Sequence, residues 1–247
     1  MILYYASELA ACVGLNRYKS INDSIVAIWA RNCRKSYEQA LERRNIEPPK
    51  PIEDVLKQKG LSVSDLIKKT FSSSTVLEQN IQKLCIENKV KIDYKEMQEI
   101  KSHIQTKNGS DNEEVSLDKY AEKLNSKIVD RNAHFYTKIL SENQKIGGRI
   151  DGLTEDGKLV EIKNRQYRIF SVVPIYEKVQ VHAYMFLLGL QECHLVQVYN
   201  EDSDTTIVKF DPEFWKSITE KITDFSIRYE RIMESEELQD ELLTGNK

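Results

Sequence analysis

The sequence predicts an α/β chain in which β-hairpins alternate with helices. Three observations carry this: a hairpin signal between residues 147 and 163, a second between 194 and 210, and helical periodicity on either side of both. Taken in order, a first helix is expected from about Ala6 to Val13. A second runs from about Asn22 through Arg43, with Ile25, Ile28 and Trp29 as its apolar stripe, and Glu47-Pro48-Pro49-Lys50-Pro51 ends it. Residues 52–107 are polar, Lys-rich and mostly helical in pattern, with an interruption at Ser72-Ser73-Ser74, and carry no recognisable chemistry. They read as a solvated helical insertion within a single domain spanning 1–247. A helix from about Glu113 to Val129 and a strand from Phe135 to Leu140 lead to the first hairpin. Its two apolar runs end in Ile150-Asp151-Gly152 and span Leu159 to Lys163, around a turn at Asp156-Gly157. After a helix containing Gln180 comes the second hairpin, His194 to Tyr199 and Thr206 to Phe210. Asp211-Pro212-Glu213 caps a last helix, whose Trp215, Ile218, Ile222, Phe225, Tyr229 and Ile232 recur at spacings of three and four and read as core packing.

Composition excludes several classes. With 247 residues, 40% of them hydrophobic, the chain is long enough for a substantial packed core. Its longest apolar run, Met185 to Leu190, is too short to cross a bilayer, and no basic leader followed by an apolar stretch opens the sequence. An intracellular protein is therefore expected, in a cytoplasm or, for a viral chain, a host nucleus, with neither secretion nor a membrane partner. Cys12, Cys33, Cys85 and Cys193 are scattered without a C-x-x-C pair, which favours reduced thiols and speaks against an iron-sulfur cluster. His103, His134, His182 and His194 lack zinc spacing. A net charge of −3 and a pI near 5.9 do not suit a protein that coats nucleic acid, so any such binding must be local.

The first hairpin carries the chemistry. Strand side chains alternate faces, so Glu161 and Lys163 project together while Val160 and Ile162 point the other way. Asp151 lies on the neighbouring run. Phosphodiester hydrolysis needs hard oxygen ligands for a divalent cation and a cationic group near the attacking water or the phosphate. Asp151, Glu161 and the carbonyl of Ile162 match the first need, and Lys163 the second. The cation is expected to be Mg²⁺, with Mn²⁺ able to replace it. A solvated hairpin with a polar face would show the same three residues, so the neighbouring motifs decide. Downstream, Gln180 and Tyr184 stand one helical turn apart.

Asp151, Glu161-x-Lys163 and the Gln180-x-x-x-Tyr184 helix together resemble the PD-(D/E)xK nuclease superfamily in its RecB-like branch. The segment from Ala6 to Ser20, with Ser7 and Gly14-Leu15-Asn16-Arg17-Tyr18-Lys19-Ser20, is similar to the opening of YqaJ-type viral recombinases, the lambda exonuclease-like family. The resemblance implies a restriction-endonuclease-like core, α-β-β-β-α-β with a mixed sheet flanked by helices, into which 52–107 would be inserted. It implies a helical Glu in a Gly-x-x-x-Glu pattern, carried here onto Glu113 from Gly109 and Tyr120, with Glu114 as the alternative. Glu113 would complete a second metal site, and Gln180 and Tyr184 would position the strand or the metal-bearing groups. Also implied are 5′ to 3′ digestion of double-stranded DNA from its ends in viral or phage-type recombination and repair, a ring-shaped homotrimer, and a single-strand annealing partner. The Ser7 segment would help to hold a terminal 5′-phosphate, although the basic residue that usually precedes it has no counterpart here.

DNA contacts are expected from a small basic patch, Lys163, Arg165 and Arg168 just after the catalytic strand, supported by Arg149, Arg17 and Lys19. Two other readings share these residues: a structure-selective or nicking endonuclease, and a DNA-binding relative without catalysis. Joint retention of Asp151, Glu161, Lys163, Gln180 and Tyr184 speaks against the second, because a binder does not need metal ligands.

Overall fold

In the computed structural model, which describes residues 1–245, β1 (Ile2–Tyr5) leads through a turn into α1 (Leu9–Cys12). Then come α2 (Ile21–Asn32), α3 (Arg34–Arg43), α4 (Ile52–Gln58), α5 (Ser64–Ile67), α6 (Ser74–Glu87) and the long α7 (Tyr94–Leu124). The strands β2 (Ile128–Asp130), β3 (Tyr136–Ser141), β4 (Gln144–Gly148), β5 (Gly152–Thr154) and β6 (Leu159–Asn164) follow. The chain closes with α8 (Ile175–Leu188), β7 (Glu192–Tyr199), β8 (Asp202–Lys209), α9 (Pro212–Met233) and α10 (Glu236–Thr244). The strands lie in two sheets, ordered β1-β4-β3 and β2-β5-β6-β7-β8. The β1–β4 and β6–β7 pairs are parallel and the rest antiparallel, a mixed α/β architecture as expected. Parallel β6 and β7 need a long crossover, and α8 supplies it.

Several element boundaries differ from expectation for identifiable reasons. The first four residues after Met1 form a strand: Ile2 and Tyr4 point into the core, and the pairing continues as Ala6 N–H donates to the Gly147 carbonyl at 2.9 Å. The helix expected from Ala6 therefore starts only at Leu9, after the Glu8 carboxylate has accepted the Tyr5 N–H at 2.8 Å. The helix expected from Asn22 to Arg43 is two helices, broken at Cys33 (φ −134°, ψ 52°). That break sets the rings of Trp29 and Tyr37 edge to face at 5.3 Å, and ring packing outweighs continuous helix propensity.

The largest departure is α7. Gly109-Ser110-Asp111-Asn112 read as a helix start, yet the helix begins at Tyr94 with an Asp93/Glu96 capping box. Side-chain amides hold the weak stretch: Asn108 donates to the Ile67 carbonyl and Asn112 to the Asn108 carbonyl. The same helix ends at Leu124, with Asn125 left-handed at φ 50°, so Ile128 to Asp130 are free to form β2 where helix was expected. Glu113 therefore sits within a helix and not in its first turn.

Residues 52–107 contain α4, α5, α6 and the first part of α7, which continues unbroken through position 107 into the half that carries strands β2 to β8. They have an apolar cluster of their own, centred on Leu77, Ile81, Ile100 and Ile104. The Ser72-Ser73-Ser74 interruption is a cap, with the Ser73 hydroxyl accepting the Val76 N–H. This helical layer meets the end of β6 where Phe71 N–H donates to the Gln166 carbonyl at 2.9 Å and Gln105 donates to the Tyr167 hydroxyl at 2.8 Å.

The main core lies between the sheets and α1, α2, α8 and α9. All six stripe residues of α9 are buried, and Asp211 caps it by accepting the Phe214 N–H at 3.0 Å. The acidic stretch after α9 forms α10, held to α3 by Arg43 contacts with Glu236 and Asp240. Among the described residues no helix is long and apolar enough to cross a membrane.

Two glycines separate close packing from mere flexibility. A Cβ on Gly148 would stand 2.7 Å from the Tyr184 ring, which is itself buried, whereas one on Gly109 would meet nothing within 4 Å. Gly148→Ala is expected to lower unfolding free energy by about 1–3 kcal/mol, and Gly109→Ala to raise it by about 0.5–1 kcal/mol. Urea titration of both variants checks this; unchanged or raised stability in Gly148→Ala, or lowered stability in Gly109→Ala, would contradict the packing described.

Candidate active site

The site forms where the chain leaves the three-stranded sheet for the five-stranded one. β5 starts only at Gly152, so Asp151 lies in the bend before it and not on a strand as expected. Because β5 starts late, the N–H of Ile162 on β6 has no strand partner. The Asp151 carboxylate takes its place, accepting that N–H at 2.7 Å. In an extended strand a residue's N–H and C=O leave the same edge, so the Ile162 carbonyl also faces the Asp151 side. Glu161, one residue earlier, turns away from Val160 and Ile162, which pack with Leu117 and Tyr120 of α7.

Glu161 and Lys163 share the other face, as their spacing predicts. The Lys163 ammonium donates to Glu161 Oε1 at 2.7 Å and to Gln180 Oε1 at 3.1 Å. Gln180 Nε2 in turn donates to the Tyr184 hydroxyl at 3.3 Å, so one face of α8 orients the lysine. Glu113 reaches in from α7, where its carboxyl meets that of Asp151. Glu114, the alternative, is exposed.

Two residues that the sequence did not single out fix Glu113. Asn164, at the end of β6, donates to the Gly109 carbonyl at 2.9 Å and accepts from the Ser116 hydroxyl at 2.7 Å. Gly109, Glu113 and Ser116 lie on one face of α7, so this amide grips the helix on both sides of the carboxylate. No motif announces that role; only the position directly after Lys163 hints at it.

The charge balance is unusual. Glu161 is 1% exposed, and its Oε2 is buried with no hydrogen-bond partner among the described residues. Burial and the adjacent Asp151 push Glu161 up to about 8, against the opposing pull of Lys163. Burial and the Glu113 carboxyl hold Asp151 well above the usual carboxylate range. For Lys163 burial alone would favour loss of the proton, but Glu161, Asp151 and Glu177 outweigh it and keep the ammonium protonated. The Tyr184 hydroxyl, buried beside Glu161, is likewise held above its ordinary value and stays neutral. Two carboxyls thus crowd beside one ammonium, with a third against Asp151, in a poorly hydrated place.

This donor set fits a hard divalent cation. Magnesium is commonly held by one or two carboxylates, with waters completing the shell, and the unpartnered Glu161 oxygen is an anionic ligand without a donor. Among the described residues no group of three or more His, Cys, Asp or Glu side chains is set to hold a metal ion as it stands. The groups that would hold such an ion are the two carboxylates of Asp151 and Glu161 and the Ile162 carbonyl, with the Glu113 carboxyl against Asp151.

The expected DNA contacts are placed differently. Arg165 is not a free charge: its guanidinium clasps both oxygens of buried Glu177, at 2.6 and 2.8 Å, and donates through Nε to Gln197 at 2.9 Å. A bidentate internal partner takes up the fork that a phosphate would need, which corrects its assignment as a DNA contact. Ser7, Arg17, Arg149 and Arg168 are all exposed. Ser7 is in the turn between β1 and α1, Arg149 next to Gly148, and Arg17 and Arg168 around a separate hollow. A cleft of about 210 Å³ between α7 and β6, lined by Gly109, Glu113, Lys163 and Asn164 among others, opens the site to solvent.

No protein-family model and no curated protein matches the chain. Among solved structures, it is similar to an alkaline exonuclease from Laribacter hongkongensis at 14% identity, over 70% of this chain and 88% of that one, with a TM-score of 0.44. It is also similar to a phage related exonuclease from Haemophilus somnus 129PT at 12% identity, over 100% and 97% of the two chains, with a TM-score of 0.45. A third, SSO0001, aligns at 15% identity over 79% and 85%, with a TM-score of 0.40. At these values the functional reading rests on the site itself.

The excess negative charge has a measurable consequence. A carboxyl whose folded pKa lies above its unfolded value near 4 destabilises the fold increasingly as pH rises between the two. Asp151→Asn removes that cost and keeps an oxygen for the Ile162 N–H. Its melting temperature in chelator is expected to match the parent's near pH 4 and to exceed it by a growing margin toward pH 8. A constant or shrinking margin in a thermal scan series would contradict the charge arrangement.

Proposed function

We propose that this protein is a divalent-cation-dependent deoxyribonuclease that hydrolyses double-stranded DNA from its ends. The observation that carries the reading is buried Glu161, with one oxygen on Lys163 and the other unpartnered, beside Asp151. A protein has little use for so costly an arrangement unless a cation and a phosphate complete it. Asp151, Glu161 and the Ile162 carbonyl would hold Mg²⁺ or Mn²⁺, with Glu113 completing a second site. When bound, the cation lowers the pKa of a coordinated water and offsets charge developing at the leaving oxygen.

The chain's own groups do the rest. Lys163, fixed by Glu161 and Gln180, presents a proton-bearing cation to the phosphate or the attacking water. Gln180 and Tyr184 keep that ammonium in place; neither is a base at neutral pH. Asn164 holds Glu113 in register. The order of motifs along the chain, Ser7 to Ser20, then Asp151, Glu161-x-Lys163 and Gln180-x-x-x-Tyr184, supports the further proposals of a 5′ to 3′ direction, a recombination or repair role with a single-strand annealing partner, and a homotrimeric ring. A ring would keep an acidic chain attached to DNA between cycles by topology rather than by charge.

End-labelled linear duplex, incubated with and without Mg²⁺ beside a covalently closed circle, tests the reading. Linear DNA is expected to be shortened only with the cation, and the circle to survive. Lys163→Ala should cut kcat by about 100-fold or more with little change in cation affinity by calorimetry. A wild-type kcat in that variant would remove the lysine's role, and cleavage of the circle would make the protein an endonuclease.

A further inference from the structure

The connection between β6 and α8 has no regular structure, yet it is built as firmly as the core. Gln197 of β7, fully buried, accepts the Phe170 N–H at 3.0 Å and donates back to the Phe170 carbonyl at 2.9 Å. Arg165 bonds the same Gln197, clasps Glu177 and lies over the Phe170 ring at 4.3 Å. A buried ionic network is costly to build, and here it fixes one short segment. That segment then exposes apolar side chains: Val172 is 76% exposed and Ile175 43%, and Tyr18, in the turn after α1 and against Tyr176, is 68% exposed.

Between these residues lies a hollow of about 640 Å³, lined by Leu15, Phe170, Val172 and Tyr176, with Arg17 and Arg168 beside them. A second hollow of about 660 Å³ shares Val172 and Val173 with it and continues toward Lys178, Ile207 and Lys209. Tyr18 and Tyr176 meet edge to face at 5.8 Å. The groove is tied to the active site along α8, because Tyr176, Gln180 and Tyr184 recur at intervals of four and so lie on one stripe, with Tyr176 about 6 Å along the axis from Gln180.

We propose that this groove takes an unpaired single-stranded DNA tail next to the scissile phosphate, with bases against Tyr18 and the Phe170–Tyr176 wall and phosphates on Arg17 and Arg168. The proposal rests on the nuclease reading. Apolar and aromatic floor with cationic rim is the pairing of surfaces that binds single strands without regard to sequence. The α8 stripe that carries Tyr176 also carries Gln180, the partner of Lys163, so a strand in the groove would lie about one helical turn from that lysine's support. The protein would then prefer tailed to blunt duplex ends.

Fluorescence anisotropy with Ca²⁺ in place of Mg²⁺ tests this on labelled duplexes that are blunt, 5′-tailed or 3′-tailed. The whole protein is expected to bind one tailed duplex more tightly than the blunt one. Tyr18→Ala should reduce that ratio about tenfold, and Tyr18→Trp should preserve it. Arg168→Ala should flatten the salt dependence for the tailed duplex by about one phosphate contact. An equal ratio in wild type and Tyr18→Ala would overturn the proposal. So would a change of solution mass in Tyr18→Ala by sedimentation, which would assign the groove to a contact between protein chains. Cleavage of duplex without any preference for tails removes the groove and leaves the nuclease reading intact, whereas a wild type that neither binds nor cleaves DNA removes both.

Discussion

The surplus of buried negative charge around Lys163 is the constraint on which the rest of this structure depends. Asp151 and Glu161 crowd beside one ammonium, the Glu113 carboxyl lies against Asp151, and Glu161 Oε2 has no hydrogen-bond partner among the described residues. Unpaired buried charge is among the least favourable features a fold can carry. The surrounding elements make sense as the means of holding these groups together despite their repulsion. The late start of β5 frees the Ile162 N–H to anchor Asp151, α8 brings Gln180 to the lysine, and Asn164 bonds α7 on both sides of Glu113.

The polar network behind the site works on the same principle. Arg165, Glu177 and Gln197 are almost wholly buried, satisfy one another and fix the crossover from β6 to α8. Their charges also reach the centre: Glu177 adds to Glu161 and Asp151 in keeping Lys163 protonated. Arg165 thus holds the segment between β6 and α8 in place. An arginine just after a catalytic lysine invites a DNA-contact reading, but the structure gives its fork a carboxylate of its own chain.

What the sequence revealed was governed by local periodicity. Alternation in Val160-Glu161-Ile162-Lys163 placed two side chains on one face, and the interval from Gln180 to Tyr184 placed two more on one helical stripe; both held because period alone determines them. The second hairpin and the stripe of α9 were legible for the same reason. Elements decided by distant partners were not. Strand β1 forms because β4 pairs with it, the bend at Cys33 because Trp29 meets Tyr37, and α7 persists through Gly109 because Asn108, Asn112 and Asn164 bond around it. The Asn164 clamp and the Gln197 network carry no spacing signal, since each joins residues far apart in the chain.

The central claim is that Asp151, Glu161 and the Ile162 carbonyl form one divalent-cation site beside Lys163. Anomalous diffraction from crystals soaked in Mn²⁺, collected at the manganese edge, measures this directly. The account predicts a peak bounded by those three groups, lost in Asp151→Asn crystals. A wild-type crystal with manganese elsewhere on its surface and none between Asp151 and Glu161 would contradict it.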